Sequence, residues 1–130
     1  MEYTTGLDEE NRICTITVTG VFQRPQDSIF MLKFIFGFCR ENNYQKFFID
    51  MRNAKILSTK KEDFLAVSIN LEFAEEIKQS KMAFLYADDL QDHRFMEYMA
   101  MRRGYNVCIF NNYDKAINWL IMDLPSDSTN

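Results

Sequence analysis

Three short, continuously apolar runs constrain this chain more than any other feature: Phe47-Phe48-Ile49, Met82 to Tyr86 and Val107 to Phe110. A strand that is apolar on both sides must be covered on both faces, which parallel β/α architecture provides. Lys46 to Asp50 therefore reads as a central strand, and the other two runs as its companions. Upstream, Arg12 to Val21 alternates, with Cys14, Ile16 and Val18 on one side and Thr15, Thr17 and Thr19 on the other, the mark of a half-buried strand. The polar Asp8-Glu9-Glu10-Asn11 turns the chain so that Tyr3 to Leu7 pairs with it as an antiparallel edge strand.

Between these strands lie helical patterns. Asp27 or Ser28 caps helix one, which runs to about Asn42. Ser58 or Thr59 caps helix two, about Lys60 to Gln79, with Glu62 or Asp63 in its first turn. Asp92 to Arg103 forms helix three, ended by Gly104 in a left-handed conformation. Asn111 or Asn112 caps a last helix carrying Ala116, Ile117, Trp119, Leu120 and Ile121. The expected order is β-β-α-β-α-β-α-β-α. Right-handed crossovers then give an α/β domain whose core sheet is mostly parallel, with an antiparallel N-terminal edge strand. With 130 residues, 47% of them hydrophobic, the chain has material for one core. The expected organisation is a single domain over 1–122 and a flexible tail over 123–130.

The net charge of -4 leaves no basic footprint for nucleic acid or an anionic membrane. Cys14, Cys39 and Cys108 sit inside apolar runs without a C-x-x-C spacing, which reads as buried thiols in a reducing compartment. Met1 to Asn11 lacks the order of a signal peptide. The most apolar segment, Ile29 to Cys39, is broken by Lys33 and is about half the ~20 residues of a membrane span. A cytoplasmic protein without membrane insertion is expected.

The ending Arg102 to Phe110, followed by Asp114-Lys115-Ala116 and Trp119-Leu120, has the form G-x-x-V-x-x-F, then A-x-x-W-L. Together with Phe48-Ile49-Asp50-Met51-Arg52 and an early strand closed by Gly20, it resembles the STAS/SpoIIAA-like family of small cytoplasmic domains. The resemblance spans about Arg12 to Leu120. It implies a βα superhelix, relatives that are non-enzymatic regulators such as anti-anti-sigma factors, and an overlap in fold with CRAL-TRIO lipid-transfer domains. Regulatory members carry Asp-Ser-Ser-Gly at the helix start, one serine being phosphorylated. Here that region reads Leu57-Ser58-Thr59-Lys60, with Lys60 where the switch serine would fall. Ser58 and Thr59 remain the candidate regulatory phosphosites, and helix capping is the alternative use of their hydroxyls.

No motif fixes a catalytic chemistry. Asp50, Asp88, Asp89 and Asn111 fall at the expected carboxyl ends of parallel strands, where open α/β sheets bind ligands. A Mg²⁺ or phosphoryl site is one reading, and capping and turn formation the simpler one. His93, the single histidine, reads as a solvated first-turn residue. The chain lacks G-x-S-x-G, P-loop and G-x-G-x-x-G patterns, and four glycines leave none for a phosphate cradle. No enzyme activity, metal or cofactor is expected. Met96, Met99 and Met101, with Phe95 and Tyr98, read mainly as filling against the sheet.

Helix one carries more apolar surface than one sheet face needs: Met31, Leu32, Phe34, Ile35, Phe36, Phe38 and Cys39 leave only Lys33, Gly37, Arg40 and Glu41 as a polar sector. Such a surplus marks a self-association surface or a ligand cavity, unless the chain itself covers it. Leu32, Ile35 and Cys39 are expected to face the sheet. Phe30, Phe34 and Phe38 are the candidate interface of a homodimer or of a complex with another protein. Phe36, Leu65, Ile69 and Phe73 are the candidate surface for a small apolar ligand such as a lipid. The primary expectation is a regulatory or protein-interaction domain. A carrier of an apolar ligand is its rival, and a Mg-dependent phosphoryl-handling enzyme a remote third.

Overall fold

The computed structural model describes residues 1–68 and 73–122, without the side chains of Cys39 and Arg40. Five strands lie in simple sequence order: β1 (Glu2–Asp8), β2 (Ile13–Gln23), β3 (Lys46–Leu57), β4 (Lys81–Leu85) and β5 (Val107–Phe110). β1 is antiparallel to β2, and every later pair is parallel. The helices are α1 (Gln26–Asn42), α2 (Lys60–Ser68), α3 (Ala74–Lys78), α4 (Arg94–Arg102) and α5 (Tyr113–Ile121), with a 3₁₀ turn over Leu90–His93.

The alternation within each strand sorts the core into two layers. Phe47, Ile49, Met82 and Phe84 share a cluster with Met31, Leu32 and Ile35 of α1, Val67 of α2 and Met96 of α4. Ile13, Phe48, Ala83 and Leu85 face the other way, onto Ala116 and Leu120 of α5. β3 and β4 are thus covered on both sides, as continuously apolar runs require. Lys81 secures α5 from the sheet: its Nζ donates to the carbonyls of Trp119 (2.6 Å) and Met122 (2.8 Å) at the helix C-terminus. Gly104 has φ 80° after α4, and Asn112 caps α5 by accepting from the Lys115 N–H.

Three elements differ from the sequence reading. β3 does not stop at Asp50 but continues to Leu57, because its second half pairs only with β2, from Asn53 opposite Thr19 to Leu57 opposite Gln23. The backbone partner, not burial, carries the strand on. Helix two is interrupted: among the described residues α2 covers Lys60–Ser68 and α3 Ala74–Lys78, and Phe73, just before α3, has a φ of -108° that breaks the helical path as its ring stacks on Phe36. Helix three begins as a 3₁₀ turn capped by Asp89, which accepts from the Gln91 N–H at 2.8 Å.

The surplus on helix one is partly absorbed within the chain. Phe34 lies 4.9 Å from Tyr3 of β1 and 6.4 Å from Phe38, which in turn sits 5.9 Å from Tyr44. Phe30, by contrast, remains 58% exposed. Leu32 and Ile35 face the sheet as expected; the Cys39 side chain lies outside the described residues, as does the tail over 123–130. Cys14 is buried, and burial pushes the half-buried Cys108 thiol up to about 11.

Candidate binding cleft

The second half of β3, with the end of β2, forms a two-stranded arm that rises past the last residue of β4. Opposite it stand the start of α2 and the segment from Tyr86 through the 3₁₀ turn. These walls enclose a polar cleft of about 910 Å³ at the carboxyl ends of the parallel strands. Lys55 and Lys60 stand on its rim, and Arg24 and Tyr86 on its floor.

The floor is a closed set of hydrogen bonds. Arg24, 3% exposed, donates from one guanidinium nitrogen to Asp63 Oδ1 (3.0 Å) and from the other to the Tyr86 hydroxyl (3.3 Å). Burial works against the Arg24 charge, but the Tyr86 phenol and the Asp63 carboxylate outweigh it and hold its pKa above the ordinary arginine value. Burial pushes the Tyr86 phenol up, against the pull of Arg24. Ser58 Oγ donates to the same Asp63 oxygen at 2.7 Å. The Tyr86 ring stacks flat on His93, centroids 3.6 Å apart and 6° from parallel, and His93 Nε2 lies 3.3 Å from Asp88 Oδ1.

His93 corrects the sequence reading: it is 8% exposed, not solvated. Charged neighbours suggested water, but the 3₁₀ turn directs the ring inward onto Tyr86. Of the strand-end acids, Asp50 is occupied by Arg52, which donates from Nε (3.0 Å) and Nη2 (2.8 Å) and from its backbone N–H (3.1 Å). Burial raises the Asp50 pKa, yet these bonds prevail and hold it below the ordinary carboxylate value. Asp89 is a cap and Asn111 is exposed in the turn before α5. Among the described residues no group of three or more His, Cys, Asp or Glu is placed to hold a metal ion.

The candidate phosphosites part ways. Thr59 is exposed and closes a capping box, its Oγ1 accepting from the Glu62 N–H while Glu62 Oε1 accepts from the Thr59 N–H. Ser58 is half-buried and bonded to Asp63. Of the candidate apolar ligand surface, Phe36 is fully buried between Phe47 and Phe73, Leu65 is half-buried, and Ile69 lies outside the described residues. The apolar cavity behind α1 and α2 measures about 60 Å³, well under the ~150 Å³ of a void that accepts benzene. Sequence reasoning missed Arg24, Asp63 and Tyr86. Their only signal was three polar groups next to apolar or capping positions far apart in the chain.

No family model and no curated protein sequence matches the chain. Solved structures do match its fold. An uncharacterized protein of the DUF3478 family with a SpoIIAA-like fold, from Shewanella loihica, aligns at a TM-score of 0.59 and 14% identity over 92% of each chain. An anti-sigma factor antagonist from Mycobacterium paratuberculosis aligns at 0.55 and 12% identity, covering 92% of this chain and 94% of its own. The anti-sigma factor antagonist SpoIIAA, in its unphosphorylated form, aligns at 0.54 and 10% identity, covering 91% and 96%. The architecture is that of a small α/β domain with one antiparallel edge. In fold, the chain is SpoIIAA-like.

Proposed function

We propose that this chain is a non-enzymatic regulatory domain that binds a protein partner with the cleft at the carboxyl ends of β3 and β4. The observation that carries the reading is the closed floor. Arg24, Asp63, Tyr86 and Ser58 satisfy one another, so the cleft offers shape and rim charge without an activated nucleophile. Two of the fold neighbours are named for antagonism of another protein, an anti-sigma factor, which supports a protein as the partner. Modification of Ser58 or Thr59 would act on this rim directly: a phosphate on Ser58 breaks its bond to Asp63, and one on Thr59 removes the cap of α2.

Quantitative affinity capture from the native host tests the reading with three forms of the chain: wild type, Lys55→Glu with Lys60→Glu, and Lys115→Glu on α5. A protein retained by wild type and Lys115→Glu, and lost with the double variant, is the expected result. Identical capture by all three forms rejects the cleft as the docking site.

A further inference from the structure

The two open sides of the sheet are built differently. β5 is four residues long, and its outer side is blocked from within the chain. The carbonyls of Asn106 and Phe110 accept from the N–H groups of Met82 in β4 and of Tyr86 just past it, so the intervening Ile109 points its N–H outward, where Glu97 Oε2 accepts it at 2.8 Å. Glu97 comes from α4, is 8% exposed and is held on its other oxygen by Arg94. This carboxylate leaves no room for an added strand.

Among the described residues β1 has no such guard. It is seven residues long, and six of them are exposed. Its register with β2 runs unbroken from Glu2 opposite Thr19 to Asp8 opposite Ile13. It contains no proline, lysine or bulge, the devices that blunt natural edges; its only charges, Glu2 and Asp8, stand at its ends. On the side of the sheet that carries α1, Leu7 is 46% and Phe30 58% exposed, and Phe30 lies 6.0 Å from Tyr3.

We infer that β1 pairs antiparallel with β1 of a second copy of this chain, about a two-fold axis at Thr4. A two-fold axis normal to the sheet pairs only residues of the same face, so it centres on a residue and not between two. Centred on Thr5 it would set Glu2 against Asp8, two like charges. Centred on Thr4 it sets Glu2 opposite Gly6 and Tyr3 opposite Thr5, brings Leu7 beside Met1 of the partner copy, and opposes no like charges. The strand is self-complementary in that register. On the helix side, β2 of one copy lies three strand spacings, ~14 Å, from β2 of the other. The two α1 helices that pack on these strands are each ~10–12 Å across with side chains, so they leave between them a seam that their own facing side chains occupy. Phe30 and Phe34 of both copies fill it. The interface candidates of the sequence thus divide: Phe30 and Phe34 flank the seam, and Phe38 belongs to the packing around Tyr44.

The register makes a charge test at Thr4, which is exposed and whose replacement leaves the core untouched. In this pairing each Thr4 faces its own copy across the axis. Thr4→Lys and Thr4→Glu should each weaken self-association by about tenfold or more through like-charge opposition, and an equimolar mixture of the two should dimerise again. Light scattering coupled to size exclusion at tens of micromolar reads all three, with circular dichroism confirming that each variant is folded. A dimeric wild type, two monomeric variants and a dimeric mixture are the expected set. A wild type that stays monomeric at several hundred micromolar overturns the inference. So does a variant that associates as tightly as wild type when both are diluted through the wild-type dissociation midpoint, or a mixture that associates no more tightly than either variant alone.

Discussion

Asp50 shows how a single residue can look like chemistry and serve as structure. It ends an apolar run at the edge where α/β sheets place ligands, yet three donors from Arg52 occupy its oxygens. Because its folded pKa lies below the ordinary 3.8, these contacts stabilise the fold above that pH, and their contribution is lost as pH falls through the lower folded value. Asp50→Asn should therefore be less stable than wild type near pH 7, by about 1 to 3 kcal/mol for hydrogen bonds to a charged group. Denaturant titrations repeated at falling pH should show the gap closing below 3.8. A gap that persists unchanged at pH 2 would contradict this account. At this scale the sequence was least legible. Capping by Asp89 and Thr59 follows from local chemistry, but the stack of His93 on Tyr86 depends on a turn whose direction no periodicity encodes.

Between elements, the bond from Arg24 to Asp63 fastens the end of β2 to the first turn of α2 across 39 positions of sequence. Both side chains are nearly inaccessible. Removing one partner strands a buried charge, which costs about 3–5 kcal/mol, whereas replacing both with apolar groups of similar size is often neutral. Asp63→Ala should lose about that much in a urea titration, and Arg24→Met with Asp63→Leu should recover most of it. Equal losses in the two forms would mean that the pair contributes through packing alone. Neither residue announces itself: Asp63 is a first-turn acid that the helix N-terminus alone would explain, and Arg24 stands before Pro25 in a stretch without apolar periodicity. The elements themselves were legible where side-chain periodicity dictates them, as in β1, α1, β5 and α5. They were misread where another force takes over, as in β3 past Asp50 and around Phe73.

For the whole molecule, the succession of strands and helices was readable because three runs apolar on both sides call for a parallel α/β core, whereas the order in which the strands lie side by side is supplied by the structure alone. The residue-level layers followed as well, with Phe47 and Phe48 pointing to opposite helices. What no pattern revealed is that β3 lives in two environments. Its first half is flanked by strands on both sides and roofed by helices on both faces, and its second half leans on β2 alone. The chain therefore joins a rigid foundation to a parapet, and opening the parapet does not require opening the foundation. Amide hydrogen exchange should register this as a step within one strand: Phe47 to Asp50 exchanging only with global unfolding, Asn53 to Leu57 by smaller, local openings. Uniform protection along β3 would show that the parapet moves only with the whole. If the step is there, the cleft can change its width while its floor of Arg24 and Tyr86 keeps its shape, so partners of different girth would meet the same footing.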